Sequence, residues 1–153
     1  MYNKVPANMN FVEREKNIEK FWEDEQIFKN SIDSRKQGPT YTFYDGPPTA
    51  NGKPHIGHVL TRVIKDMIPR YRAMKGYMVP RKAGWDTHGL PVELEVEKML
   101  GLDGKEQIEQ YGLEPFIEHC KESVWKYKGM WEDFSSTVGF WADMDNPYIT
   151  YDD

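Results

Sequence analysis

Residues 41–58 have the sequence YTFYDGPPTANGKPHIGH, which combines a short aromatic run, a loop rich in glycine and proline, and the start of a long periodic segment. Aromatic and β-branched residues favour a strand at 41–44. From Ile56 to Met74 apolar residues recur at spacings of three and four, which predicts a helix that ends before Gly76 and buries one apolar face. We therefore expect a strand, a tight loop and a helix in succession.

Two histidines, His55 and His58, lie one helical turn apart at the predicted helix start. Unpaired backbone N–H groups and the positive end of the helix dipole make such a start an anion site, to which two imidazoles would add donors. We favour phosphate as the ligand. A metal site and a purely structural pair are the alternatives. The chain has one cysteine and neither HExxH nor paired CxxC, so we expect no zinc or other metal site.

Gly57 separates the two histidines, although glycine costs about 0.8–1.0 kcal/mol relative to alanine in a helix interior. This cost indicates that a flat group lies against the backbone there. The preceding loop has Gly46 and Gly52 for backbone freedom and three prolines that stiffen it. We therefore expect a loop that keeps one shape.

A second motif, GWDTHG at residues 84–89, follows a predicted buried strand at 77–81. A strand–helix–strand unit is normally a parallel crossover with ligands at the carboxyl ends of its strands. The loops at 45–55 and 83–89 should therefore lie side by side. Asp86 could then bind a substrate ammonium group, or it could cap the helix beginning near Leu90 or stabilise a turn.

Composition limits the classes of protein that this chain can represent. Its 153 residues suit one domain, and a single cysteine, Cys120, excludes a disulfide framework. No apolar run reaches about 18 residues, so no membrane span or membrane partner is expected. The first residues lack the apolar core of a secretory signal, which favours the cytoplasm.

Charge is distributed unevenly within a net charge of −5. Residues 53–82 contain eight lysines and arginines and one acidic residue, Asp66. A solvated helix face is one interpretation. The phosphate site expected at the same helix favours a field that attracts ATP or an RNA end.

The remaining segments predict further helices around this central unit. We expect an amphipathic helix at 10–29, a polar connector at 31–39, a small helix between Gly101 and Gly112, and a helical segment at 116–134. The tryptophans of that last segment and Met130 have the spacing of core residues.

Residues 41–97, with PPTANGKPHIGH and GWDTHGLPVE, resemble the start of the catalytic domain of class I aminoacyl-tRNA synthetases. Residues 55–58 match the family's HIGH motif without a departure. Residues 87–91, THGLP, resemble the isoleucyl subgroup, whereas leucyl enzymes tend to show FGLP and valyl enzymes TDHAG.

The resemblance implies an α/β fold, namely a partial Rossmann-like nucleotide-binding domain with parallel strands, a HIGH-type helix and an N-terminal helical appendage. Residues 1–40 would form the appendage and connector, and 41–153 the first part of the catalytic domain, truncated before the editing insertion. It also implies ATP-dependent activation of isoleucine and its attachment to tRNA(Ile). ATP would be a substrate with Mg²⁺ on its phosphates, and the partners would be isoleucine, the tRNA acceptor end and the remainder of the full-length synthetase.

The resemblance assigns three sets of site residues. His55 and His58 would be catalytic; Asn51, His55, Gly57 and His58 would bind ATP, with Gly57 as the seat for adenine; Gly46, Pro47, Trp85 and Asp86 would bind the amino acid. Trp85 could instead anchor its loop in the core.

Parts of the family pattern are missing after residue 58, including the KMSKS loop, the editing domain and the anticodon-binding portion. We therefore expect an amino-terminal piece that is weakly active or inactive alone. A leucyl- or valyl-type fragment, a small HxGH nucleotidyltransferase and a noncatalytic module with the synthetase fold are the alternatives.

Overall fold

The computed structural model describes residues 7–46, 48–49 and 52–152, and within them the chain alternates helices with three strands. The α/β fold class is confirmed. The helices are α1 (Phe11–Asp24), α2 (Ile27–Asp33), α3 (Ile56–Met74), α4 (Leu90–Leu100), α5 (Lys105–Tyr111), α6 (Leu113–Trp125) and α7 (Lys128–Thr137), and the strands are β1 (Phe43–Tyr44), β2 (Arg81–Trp85) and β3 (Asp143–Ile149).

The three strands form one parallel sheet in the order β1-β2-β3. Phe43 lies opposite Arg81, and Gly84 lies opposite Tyr148. Because β1, α3 and β2 follow one another and the two strands are parallel, the expected strand–helix–strand unit is confirmed. The third strand, β3, was not expected from the sequence.

The predicted bounds of the second strand, 77–81, are wrong, because regular pairing begins only at Arg81. Residues 77–80 still run beside the first strand, since the backbone N–H groups of Tyr41 and Phe43 donate to the carbonyls of Met78 and Pro80 at 2.9 and 3.0 Å. Pro80 has no N–H group to return to the ladder, which interrupts the pattern.

The single helix predicted at 10–29 is also wrong, because the chain breaks between α1 and α2. Gln26 adopts a left-handed conformation with φ of 47°, and the Asn30 side-chain amide donates to the Glu25 carbonyl at 2.8 Å. These features end one helix and start another, which extends into the predicted connector. The predicted helical segment at 116–134 is divided in the same way into α6 and α7.

The apolar face of α3 was expected to be buried, and this expectation is wrong for the described structure. The sheet side of α3 instead buries Arg62, Asp66, Pro69 and Ala73. The two charged side chains reach partners there, since Arg62 lies near Asp45 and Asp66 pairs with Arg81. Eight apolar side chains on α3 are between 47 % and 85 % exposed: Ile56, Leu60, Val63, Ile64, Met67, Ile68, Tyr71 and Met74.

Candidate functional site

The two histidine side chains cap the start of α3 by accepting hydrogen bonds from backbone N–H groups. His55, in an extended conformation, precedes the first helical residue. Its Nδ1 accepts a hydrogen bond from the Gly57 N–H at 3.1 Å, and His58 Nδ1 accepts one from the His55 N–H at 3.0 Å. The rings lie against each other with centroids 3.8 Å apart. A reciprocal bond of this kind satisfies two of the donors that a helix start leaves open.

This geometry fixes where the imidazole protons are. A neutral imidazole has one N–H and one acceptor nitrogen, so an accepting Nδ1 puts the proton on Nε2. Burial lowers the pKa of His58, and the neighbouring His55 and Arg62 lower it further. At neutral pH His58 is therefore uncharged and offers Nε2–H as a donor.

Gly57 has an immediate structural reason to be glycine. A Cβ atom at this position would lie 2.9 Å from Cε1 and 3.1 Å from Nδ1 of the His55 ring. The flat group against the backbone is thus the His55 imidazole itself. Contact of Gly57 with adenine stays a prediction.

A cavity of about 470 Å³ opens beside the histidine pair. It brings together residues from the loop, from α3 and from α7. Two of the predicted residues, Pro47 and Asn51, lie outside the described residues. The lining consists of Gly46, Pro48, Thr49, Gly52, Lys53, His55, His58, Thr61, Arg62, Lys65 and Trp131.

Asp86 is tied to the loop that leads to the histidines. Its carboxylate accepts a hydrogen bond from the Thr49 hydroxyl at 3.2 Å, and its N–H donates to the Pro48 carbonyl at 3.2 Å. The two loops therefore lie side by side, as the parallel crossover predicts. The alternative of a helix cap is wrong, because Gly89 precedes α4 and no side chain caps that helix.

Trp85 is placed in the core and not in the cavity. The residue is 2 % exposed and belongs to β2. Of its two predicted roles, this burial favours the anchor. Contact of Trp85 with an amino acid remains a prediction.

Asp45 is a charged residue of the site that the sequence reasoning missed. It is 2 % exposed, and its carboxylate lies 2.9 Å from Lys65 Nζ and 3.6 Å from Arg62 Nη1. Lys65 also donates to the Gly46 carbonyl at 2.7 Å. One ammonium group thus fixes the start of the loop. His58, Arg62 and Lys65 are spaced by four and then three residues, which places them on one face of α3. This spacing is the sequence feature that indicates Arg62 and Lys65 as site residues beside His58.

Tyr148, from the unexpected strand β3, completes this side of the site. Its hydroxyl donates to the Asp45 carbonyl at 2.5 Å, and its ring occupies the space that a side chain at Gly84 would need. Burial raises the pKa of Tyr148, and the nearby carboxylates of Asp45 and Asp86 raise it further. Tyr148 is therefore protonated at neutral pH and donates.

Five of the eight basic residues at 53–82 fall into two groups. Lys53, Arg62 and Lys65 line the cavity, which supports a positive field there. Arg70 and Arg81 instead pair with Asp66, and burial lowers the pKa of Arg81 to about 10. The second group is structural.

The described ranges of the chain lack both a metal-binding cluster and a membrane-spanning helix. No group of three or more histidine, cysteine, aspartate or glutamate side chains there is arranged to hold a metal ion. None of the described helices combines the length and apolar character that crossing a membrane requires.

Similar proteins match both the sequence and the fold. The chain is 63 % identical over 151 residues to an isoleucine–tRNA ligase of Clostridium novyi (strain NT), and 64 % identical over 152 residues to one of Clostridium kluyveri. Each alignment covers 99 % of this chain but only 14–15 % of the relative. An isoleucine–tRNA ligase 2 of Bacillus cereus is 56 % identical over 147 residues, covering 96 % of this chain and 14 % of that protein.

A solved structure shares the fold with a TM-score of 0.61 at 22 % identity, covering 91 % of this chain and 16 % of the other. It is the ternary complex of Agrobacterium radiobacter K84 agnB2 LeuRS with tRNA and LeuAMS. The family model described as tRNA synthetases class I (I, L, M and V) matches residues 17–153, which overturns the small nucleotidyltransferase alternative. The chain therefore belongs to the class I tRNA synthetases.

Proposed function

We propose that this chain supplies part of the active site of an isoleucine–tRNA ligase. An oxygen of the isoleucine carboxylate attacks the α-phosphorus of ATP, the bond to the bridging oxygen breaks, and pyrophosphate leaves. A hydroxyl of the terminal ribose of tRNA(Ile) then attacks the carbonyl carbon of the aminoacyl adenylate, the bond from that carbon to the phosphate oxygen breaks, and AMP leaves together with the hydroxyl proton. The observation that carries this proposal is the hydrogen bond between Thr49 and Asp86, which joins the loop before the histidines to the second motif.

On the ATP side, the chain contributes donors and positive charge. No general base is needed for the first step, because a carboxylate is already ionised at neutral pH. The protein must align the reactants and stabilise the negative charge at the phosphates. His55 and His58, with protons on Nε2, would donate to phosphate oxygens, and Lys53 at the cavity wall would add charge. ATP would carry Mg²⁺ on its phosphates.

On the amino-acid side, Asp86 would bind the α-ammonium group. One of its carboxylate oxygens accepts from Thr49, which orients the group and leaves further acceptor capacity for a substrate N–H. Asp86 itself does not line the cavity but is hydrogen-bonded to Thr49, which does. The Gly46 carbonyl, held by Lys65, also lies on the cavity wall. Together with Pro47, these residues would position isoleucine so that its carboxylate faces the ATP side.

Isoleucine is the amino acid that the similarities support. Relatives at 56–64 % identity are named isoleucine–tRNA ligases. One methylene group is worth only about 1–3 kcal/mol in a hydrophobic pocket, so the pocket walls must be specific. We therefore propose isoleucine rather than leucine or valine as the substrate.

The complete activity requires more polypeptide than these residues supply. The chain spans about 14–15 % of the length of the relatives it matches, and the apolar face of α3 is exposed. Monomers rarely expose contiguous apolar patches of more than a few hundred Å². We propose that the remainder of a full-length synthetase covers this face, that residues 41–153 belong to its cytoplasmic catalytic domain, and that 1–40 form its appendage.

Calorimetric titration tests the proposal. The chain is titrated with a nonhydrolysable isoleucyl adenylate analogue and, in parallel, with its valyl counterpart. We expect tighter binding of the isoleucyl compound. Failure of both compounds to bind, with the chain folded, would refute an adenylate site in this chain.

A further inference from the structure

Trp131 is the residue of the cavity wall that lies farthest from the motifs in sequence. It belongs to α7, is 3 % exposed, and faces the histidine pair. Its indole Nε1–H donates to the Gly52 carbonyl at 2.9 Å, which fixes the loop before His55. Its ring meets the His58 ring edge to face with centroids 4.6 Å apart. One side chain thus contacts both parts of the phosphate-side wall.

Two neighbouring rings consequently hold the His58 ring. The His55 ring lies against it at a tilt of 36° with centroids 3.8 Å apart, and Trp131 packs against it at 4.6 Å. These contacts keep His58 Nδ1 on the His55 N–H, which in turn keeps the proton on Nε2. Without the indole, the imidazole could rotate away from its backbone partner and present either nitrogen to a ligand.

The indole also occupies a position that few side chains could fill. Arg62 is 4 % exposed, and its guanidinium lies 5.5 Å from the Trp131 ring centroid and 4.5 Å from that of Phe140. Aromatic faces attract such a cation, most strongly in the case of tryptophan. A smaller apolar residue would leave a gap between Arg62, His58 and the Gly52 carbonyl.

We propose that Trp131 is a positioning residue for adenylate formation, which fixes the tautomer and orientation of His58 and the path of the loop at Gly52. The role of Trp131 in adenylate formation rests on the proposed function. Its effect on the tautomer of His58 is measurable without any nucleotide. Trp131 touches no reacting atom in this account.

The test compares W131L and W131F with the matched control W125F. Trp125, on the neighbouring helix α6, also donates its indole N–H, to the Tyr151 hydroxyl at 3.1 Å, but it does not line the cavity. Long-range ¹H–¹⁵N NMR spectra of the free chain report the His58 tautomer and its titration midpoint. The affinity for the isoleucyl adenylate analogue is measured separately.

For W131L we expect a smaller population of the Nε2–H tautomer of His58. We also expect its titration midpoint to move up toward pH 6.5, because the His58 ring becomes less buried. For W131F we expect about two- to tenfold weaker binding of the analogue, the effect of one lost net hydrogen bond. W125F should leave both readouts at wild-type values.

Unchanged His58 spectra in folded W131L would overturn the proposal. If W131L does not fold, W131F decides, since wild-type spectra together with wild-type affinity in that variant would equally overturn it. If the wild-type chain binds no analogue, the proposed function fails for this chain, whereas the His58 spectra still test Trp131.

Discussion

The Thr49 hydroxyl donates a hydrogen bond to the Asp86 carboxylate at 3.2 Å, across 37 positions of sequence. Thr49 lines the cavity that also contains His55 and His58. The backbone supports the same contact, since Asp86 N–H donates to the Pro48 carbonyl. The two motifs of the chain therefore meet in one place.

Replacing Thr49 by valine should weaken binding of an isoleucyl adenylate analogue. T49V keeps the shape of the side chain and removes the hydrogen bond that orients Asp86. A hydrogen bond to a charged group contributes about 1.5–3 kcal/mol, which corresponds to roughly a tenfold to hundredfold loss of affinity. Calorimetry measures this loss, and T42V, at an exposed position before β1, serves as the control. Equal affinities of T49V and T42V would contradict the role of this contact.

His58 should titrate below 6.5, because burial and the positive charges around it lower its pKa. Below pH 6.5 the His58 side chain of the unfolded chain binds a proton that it does not bind in the folded chain. Lowering the pH from 6.5 to the folded-state pKa of His58 therefore destabilises the fold. Above 6.5 the contribution of this group is fully present. NMR titration of the His58 ring, together with unfolding curves across this pH range, measures both effects. A midpoint at or above 6.5 would be inconsistent with the capped, neutral imidazole.

Replacing Gly57 by alanine should stabilise the chain less than the same replacement at an ordinary helical glycine. Gly57 and Gly129 are both the second residue of a helix, but only a Cβ at Gly57 meets another group, the His55 ring at 2.9 Å. Alanine favours a helix over glycine by up to about 1 kcal/mol, so G129A should stabilise the chain. G57A should gain nothing or lose stability, because the His55 cap is displaced. Denaturant unfolding compares the two, and an equal gain would refute this explanation of Gly57.

The exposed face of α3 predicts a difference between the isolated chain and a full-length enzyme. I64Q removes apolar surface from a side chain that is 51 % exposed, so the free energy of unfolding of this chain should change by less than about 0.5 kcal/mol. In a full-length enzyme that covers the face, the same substitution should cost more, because a polar amide would be buried. Denaturant unfolding of both proteins measures this contrast. A cost that is equally small in both would show that the face stays open to solvent.

Local pattern was enough to predict the centre of the fold. The alternation of an aromatic run, a glycine- and proline-rich loop and a 3.6-residue period predicted a strand, α3 and their parallel return, although β1 covers only Phe43–Tyr44 of the expected 41–44. It also predicted that the loops at 45–55 and 83–89 meet, which they do at Thr49 and Asp86. These features depend on backbone chemistry within a few residues. The helix break at Gln26 depends on a left-handed backbone conformation, and the sequence has no glycine at this position that would have predicted it.

The less predictable parts depend on contacts between distant segments. β3 contains Pro147 and three polar or charged residues, Asp143, Asp145 and Asn146, so no apolar alternation marked it, and Tyr148 was therefore missed. Trp131 was correctly assigned to the core by its helical spacing, whereas the same assignment is wrong for Met130, which is 40 % exposed. Spacing also cannot tell which part of the core a side chain reaches. The prediction that α3 buries its apolar face was wrong for a related reason. Burial of Arg62 and Asp66 instead depends on charged partners elsewhere in the chain.

The most direct test compares the isoleucyl adenylate analogue with an otherwise identical compound that lacks the α-amino group. Both are titrated into the wild-type chain and into D86N. The account predicts that the wild-type chain prefers the amino compound and that D86N loses this preference, because the carboxylate that pairs with the ammonium group is gone. An identical preference in both proteins would contradict the assignment of Asp86 to the amino acid and, with it, the shared site.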